Sequence, residues 1–193
     1  MNKTRLETFS DGVLAIIITI MVLELKIPAG TSWDAIKPLF PTLASYVLSF
    51  IFIAIYWGNH HHLLHTLNRV NGKIIWANMH LLFWLSLVPF GTRWMGENNF
   101  DSVTVAVYGT LLVLCDVAFT LLAVFIARGH PNEAEFARIF QKSKLKATIS
   151  TILYLLSIPL AFVNPVISCS IFVFVALIWF IPDKEIEKLL SEM

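Results

Sequence analysis

The chain has 193 residues, of which 57% are hydrophobic and 14% charged, with a formal net charge of +1. A mean hydropathy of +0.73 excludes an ordinary soluble domain and points to a polytopic membrane protein folded as one compact bundle over residues 1–193. The near-neutral charge gives no indication of a nucleic-acid partner, and the two cysteines, Cys115 and Cys169, sit in apolar runs where packed thiols are the expected state.

The first predicted helix, Arg5 to Leu25, is a flawed membrane span. Only twelve uncharged residues, Gly12 to Leu23, separate Asp11 from Glu24. At about 1.5 Å per residue they cover about 18 Å, against a hydrocarbon core of about 30 Å. Facing lipid, this helix would bury a carboxylate at roughly 2.5 to 3.5 kcal/mol near the bilayer centre. It is therefore expected inside an assembly, with its polar ends against protein or water. The opening residues superficially resemble a signal peptide, but Asp11 interrupts the apolar run and no small-x-small site cleanly precedes Glu24, so the segment reads as retained.

Lys26 to Gly30 ends this helix, and Thr31 to Lys37 reads as a short polar loop. Pro38 and Pro41 suit the start of a second helix running to about residue 67, whose end carries His60, His61, His62 and His65. Asn71-Gly72 breaks the chain. A third helix follows from about Ile74 to Arg93, with Asn78, His80 and Ser86 along it and Pro89 near its end, where a kink is cheap. Gly96 to Asp101 reads as a tight loop. The fourth helix spans about Ser102 to Ala127 and carries Asp116 near its middle. Arg128 to Lys146 is the largest polar segment, expected to be partly helical at the membrane surface. Ala147 to Pro182 comprises 36 uncharged residues, which Asn164-Pro165 divides into two spans, and Asp183 to Met193 reads as a charged helical stub. The count is six membrane helices in an all-α bundle.

Six spans place both termini on one side. That side collects eleven of the Lys and Arg residues and the other only three, Lys26, Lys37 and Arg93, so the termini are expected in the cytoplasm.

On the first helix, Gly12, Ile16, Thr19, Ile20 and Leu23 share one face at spacings of three and four. Spacing alone is served equally by apolar packing. Asp11 and Arg5, six residues apart, are poorly placed to pair within one helix. The partners of Asp11 must come from the late second helix (His60, His61) and the early third helix (Asn78, His80), which reach the same depth. His61 and His65 share a face at a spacing that can hold zinc, yet no cysteine or carboxylate accompanies them, so interhelical hydrogen bonding is the favoured reading. Asp116 reads either as a proton carrier or as a neutral acid hydrogen-bonded between helices. No nucleophile–base pair, phosphate loop or metal signature suggests an enzyme, and no cofactor is implied.

Arg5-x-x-x-Phe9-Ser10-Asp11 followed by GVLAIIITIMVLEL resembles the start of the transmembrane protein 175 family of potassium channels. Tyr56-Trp57-x-x-His60-His61, Asn78 and Leu87-Val88-Pro89-Phe90 agree with it, over roughly residues 3 to 94. The resemblance implies a prokaryotic, plasma-membrane member with one six-helix unit, assembling as a homotetramer in the lipid bilayer around a central path for potassium ions. It implies that the first helix lines that path, that Ile16, Ile20 and Leu23 form an apolar gate, and that Thr19 adds a ring of hydroxyls, with no filter loop of the T-V-G-Y-G type. It also implies a structural polar network drawn from Arg5, Ser10, Asp11, His60, His61, Asn78 and His80. The rival reading is a small proton-coupled carrier using Asp116 and the histidines.

Overall fold

The computed structural model describes residues 2–67, 69–129 and 133–180, with side chains described outside 133–144. The charged tail expected as a helical stub lies outside the described residues. Within them the chain is helical: α1 (Lys3–Leu23), α2 (Trp33–Ile36) with a 3-10 turn (Lys37–Leu39), α3 (Phe40–His65), α4 (Gly72–Ser86), α5 (Val88–Glu97), α6 (Ser102–Ala127), α7 (Glu133–Ala161) and α8 (Pro165–Phe180). Four segments are long and apolar enough to cross a membrane: Lys3–Leu23, Trp33–His65, Gly72–Glu97 and Ser102–Ala127. Leu145–Ala161 and Pro165–Phe180 are shorter apolar helices. The fold is the expected six-helix bundle.

The helix boundaries follow local chemistry. The side chains of Asn2, Asn71 and Asp101 accept from the backbone N–H groups of Arg5, Ile74 and Val103, satisfying donors that a helix start leaves open. At the other end of α3, Lys3 Nζ donates to the His65 carbonyl, a cation on an orphan acceptor. The third span is interrupted beside Pro89, which has no N–H to offer the helix ladder. α4 stops at Ser86 and α5 restarts at Val88 around Leu87, so the segment expected as one helix is two in line. Gly96, expected in a loop, belongs to α5, and the turn that follows places Asn99 and Phe100 at φ 50° and 59°. The stretch expected as a polar loop after Gly30 contains α2 and the 3-10 turn, because Ser32 precedes a helical Trp-Asp-Ala-Ile and Pro38 suits a first turn. The polar segment before Lys146 is continuous with the fifth span as α7, and Asn164-Pro165 separates α7 from α8 as expected.

Two apolar cores divide the bundle. One joins α1, α3, α4 and α6 through Leu14, Ile17, Ile53, Leu81, Leu85 and Leu122. The other joins α3, α5, α6, α7 and α8 around Tyr108, Tyr154 and Phe172. Helices α3 and α6 belong to both. Cys115 is buried and Cys169 half-buried, both as free thiols. A second, unforeseen set of hydroxyls locks α3, α5 and α6: Ser49 lies 2.7 Å from Tyr108 Oη and 2.6 Å from Thr92 Oγ1, all buried.

Helix α5 approaches α3 closely at Gly96. A Cβ there would stand 2.7 Å from the Thr42 Cα and 2.4 Å from Ser45 Oγ, whereas one at Gly58 would meet nothing within 4 Å. Gly96→Ala should therefore force backbone apart and destabilise by about 1 to 3 kcal/mol. Gly58→Ala should be neutral or slightly stabilising, because alanine fixes helical backbone better than glycine. Thermal unfolding of the two variants in detergent checks the contrast, and equal transitions would contradict the close packing.

Candidate functional site: the first helix and its anchors

The two sides of α1 have opposite surroundings. Leu6, Ser10, Leu14, Ile17 and Met21 are buried against the bundle. Gly12, Ile16, Thr19, Ile20 and Leu23 lie on the opposite side and are exposed on the single chain, Ile16 at 59%, Ile20 at 41% and Leu23 at 81%. Thr19 Oγ1 spends its proton on the Ile16 carbonyl at 2.9 Å, which leaves the oxygen free to act as an acceptor on this exposed face.

The buried side of α1 is fixed by a chain of hydrogen bonds across three helices. His60 Nε2 on α3 lies 2.7 Å from Asn78 Oδ1 on α4; Asn78 Nδ2 donates to Ser10 Oγ at 2.9 Å, and Ser10 Oγ donates to the Leu6 carbonyl at 2.8 Å. With the Asn78 amide so oriented, His60 carries its proton on Nε2 and each group donates to the next. Ser10 and Asn78 are fully buried and His60 is 1% exposed, so the relay replaces water that cannot reach it.

Asp11 stands beside this relay. Its Oδ1 accepts from Trp57 Nε1 at 3.0 Å, and the Trp57 ring stacks on His61 with centroids 6.2 Å apart. His61 therefore meets the site through an aromatic face. His80 is exposed and accepts from Trp84 Nε1 one turn along its own helix at 2.8 Å. The structure does not bring it to Ser10, because on α4 it points away from the face that carries Asn78. Arg5 is also exposed, on the side of α1 away from the relay. Sequence reasoning missed Trp57 as the partner of Asp11, although it stands inside the Tyr56-Trp57-x-x-His60-His61 motif. His61 and His65 have ring centroids 6.3 Å apart, and among the described residues no three His, Cys, Asp or Glu side chains gather as a metal-ligand set.

The far end of α1 is held by charge. Glu24 pairs with Arg93 of α5; Arg93 Nε also reaches Glu97 at 3.1 Å, and Glu97 takes Lys26 at 2.8 Å. Two cations and two anions alternate, so each carboxylate has a counter-charge. The exposed lysine and arginine keep each pair modest, but a network of four outweighs isolated pairs. Asp116, on α6, is buried and accepts from Thr151 Oγ1 of α7, whose oxygen also lies 2.9 Å from the Ala147 carbonyl.

The first helix of this multi-pass chain is thus held at both ends while one apolar face stays uncovered by its own chain. Residues 5–89 match the family described as endosomal/lysosomal potassium channel TMEM175. A potassium channel from Chryseobacterium sp. (strain P1-3) is 51% identical over 192 residues, covering all of both chains. One from Streptomyces collinus is 33% identical over 175 residues, 85% of each. The crystal structure of a lysosomal potassium-selective channel TMEM175 homolog from Chamaesiphon minutus superposes with a TM-score of 0.77 at 26% identity, over 92% of this chain and 95% of that one. The chain belongs to the TMEM175 family, as a multi-pass membrane protein of prokaryotic type. Its relatives are named as channels, a non-enzymatic class.

Cutting the relay should be costly. Asn78→Ala leaves His60 and Ser10 facing each other across a void, with unpaired buried groups costing about 1 to 3 kcal/mol each. Asp11→Ala should cost less, because Trp57 lies at a wetter edge. A lower unfolding temperature, larger for Asn78→Ala than for Asp11→Ala, is expected in detergent; the reverse order would contradict the buried relay.

Proposed function

We propose that the protein is a potassium-permeable channel built from four copies, with α1 of each lining the ion path and both termini in the cytoplasm. One observation carries this reading: the face of α1 bearing Ile16, Thr19, Ile20 and Leu23 is left open by its own chain, while the ends of the same helix are anchored. Lipid is a poor cover for that face, since the apolar run between Asp11 and Glu24 is too short to span a bilayer. Four α1 helices around an axis cover one another and keep both carboxylates near water. The relatives named as potassium channels, and the potassium-selective homologue of the same fold, supply the ion.

Within this assembly Ile16, Ile20 and Leu23 form rings of branched apolar side chains. Such rings expel water from a narrow path and so act as a gate. The Thr19 ring between them offers acceptor oxygens that replace part of the hydration shell of potassium. So few oxygens give modest selectivity, with rubidium and caesium also passing.

The test uses the purified protein in planar bilayers with mixed potassium and sodium. Unitary steps and a reversal potential that follows the potassium gradient are expected. Uptake that depends strictly on a proton gradient, abolished by Asp116→Asn, would favour the carrier reading instead, and a protein that stays monomeric in lipid nanodiscs would end the tetramer. Ile16→Asn should keep the constriction wet and raise basal current with little change in stability. Thr19→Val keeps the shape and removes the hydroxyl, and should lower the potassium-to-sodium preference with the pore intact. If both substitutions leave current and selectivity unchanged, the pore face is wrongly assigned.

A further inference from the structure

A second polar feature of the membrane region is untouched by the pore. Asp116 borders a cavity of about 30 Å³ enclosed by α3, α6, α7 and α8. Five aromatic side chains wall it: Phe52, Tyr56, Phe119, Tyr154 and Trp179. Among the described residues Asp116 has no cationic partner, and its one hydrogen bond, from Thr151, engages only Oδ2. The other polar groups at the wall are open as acceptors too. The hydroxyls of Tyr56 and Tyr154 have no partner among the described residues, and Asn59, also at the wall, uses its amide nitrogen on the Ile55 carbonyl and leaves its oxygen unused. Ile55, Asn59 and Trp179 are shared with a cleft of about 330 Å³ between α3 and α8, whose remaining lining is mostly apolar, including Phe50, Ala54 and the exposed Phe180. The cleft opens on the outer surface of the chain.

Such a site has a definite complement. A lone carboxylate buried among hydrocarbon favours a positive guest. Several idle acceptors suit a guest with several N–H donors, and an ammonium has three. Aromatic faces attract the same charge through their quadrupoles. The inner cavity exceeds the 10 to 15 Å³ or so that one water needs, which is the scale of an –NH₃⁺ head. The apolar cleft beside it accepts a hydrocarbon or aromatic tail. A bare metal cation fits worse, because most of the wall is ring carbon and not oxygen.

We propose that the α3–α8 cleft and the cavity at Asp116 form one binding site, outside the pore, for lipophilic primary amines: the ammonium head pairs with Asp116 and the apolar tail lies between α3 and α8. This goes beyond the channel reading and does not depend on it, since binding is read without current.

The test is calorimetry on the full chain in nanodiscs with 2-phenylethylammonium, against its neutral counterpart 2-phenylethanol. The amine should bind at least tenfold tighter than the alcohol. Asp116→Asn, nearly isosteric, should erase that preference. Gly58→Leu projects a side chain into the cleft from a position where a Cβ meets nothing, and should weaken the amine at least tenfold while the fold persists. Equal affinity for amine and alcohol, no binding of either, or a preference that survives in Asp116→Asn would overturn the proposal. So would loss of the preference in Thr19→Val, which would put the amine in the pore. Should Asp116→Asn fail to fold, Gly58→Leu decides alone: unchanged amine affinity there also overturns it.

Discussion

A short apolar run with a carboxylate at each end shapes this bundle. Helix α1 has twelve uncharged residues between Asp11 and Glu24. Neither carboxylate can be left in hydrocarbon, and neither can be satisfied from within α1, because residues that face one another on a helix are three or four apart. Partners must therefore be brought by other helices. Trp57 of α3 serves Asp11 and Arg93 of α5 serves Glu24. Much of the surrounding bundle can be understood as the means of delivering those two side chains to the right depth.

The two anchors differ in kind. At the Ser10 end the contacts are buried, neutral and directional, a relay in which His60, Asn78 and Ser10 each donate onward. Such a relay fixes rotation of α1 about its axis, since a turn of one residue would carry Ser10 out of reach of Asn78. At the Glu24 end the contacts are ionic and partly wet. Ion pairs tolerate small displacements better than buried hydrogen bonds do, and water can substitute for either partner. In the proposed tetramer the first end sets which face meets the axis, and the second can yield without unfolding. Both halves of the third span serve the same neighbour: Asn78 on the first reaches Ser10, and Arg93 on the second reaches Glu24.

The face left open on α1 gains its meaning from this rigidity. An exposed apolar stripe on a mobile helix would be an aggregation hazard. On a helix held at both ends it is a surface of fixed shape, and in the proposed tetramer it is the one that the other copies cover. The membrane interior adds a second economy at α3, α5 and α6, where Ser49, Thr92 and Tyr108 satisfy one another, so polar groups supply the specificity that apolar packing in lipid does not.

How much of this was legible in the chain depends on the range of the interactions. The number of helices, the division at Asn164-Pro165, the weak point near Pro89 (though not the full break into two helices) and the exceptional status of α1 follow from runs of uncharged residues, proline chemistry and charge spacing, all local properties. Asp11, Ser10, His60 and Asn78 were identifiable as polar residues that hydrocarbon would not accept unpaired. Their pairing was not identifiable: four histidines within six residues differ only in the direction each faces, and only the rotation of α3 against α4 puts His60 on Asn78 while His61 stacks on Trp57 and His80 turns to Trp84. Nor could spacing disclose that Arg93 would reach back across 69 positions to Glu24, or that hydroxyls scattered through apolar runs would meet in threes. Local charge and hydropathy identify the groups that a membrane will not accept alone; which of them meet is a matter of packing, because a hydrogen bond needs a partner within about 3 Å and in line, and helix rotation and depth are set by the whole bundle.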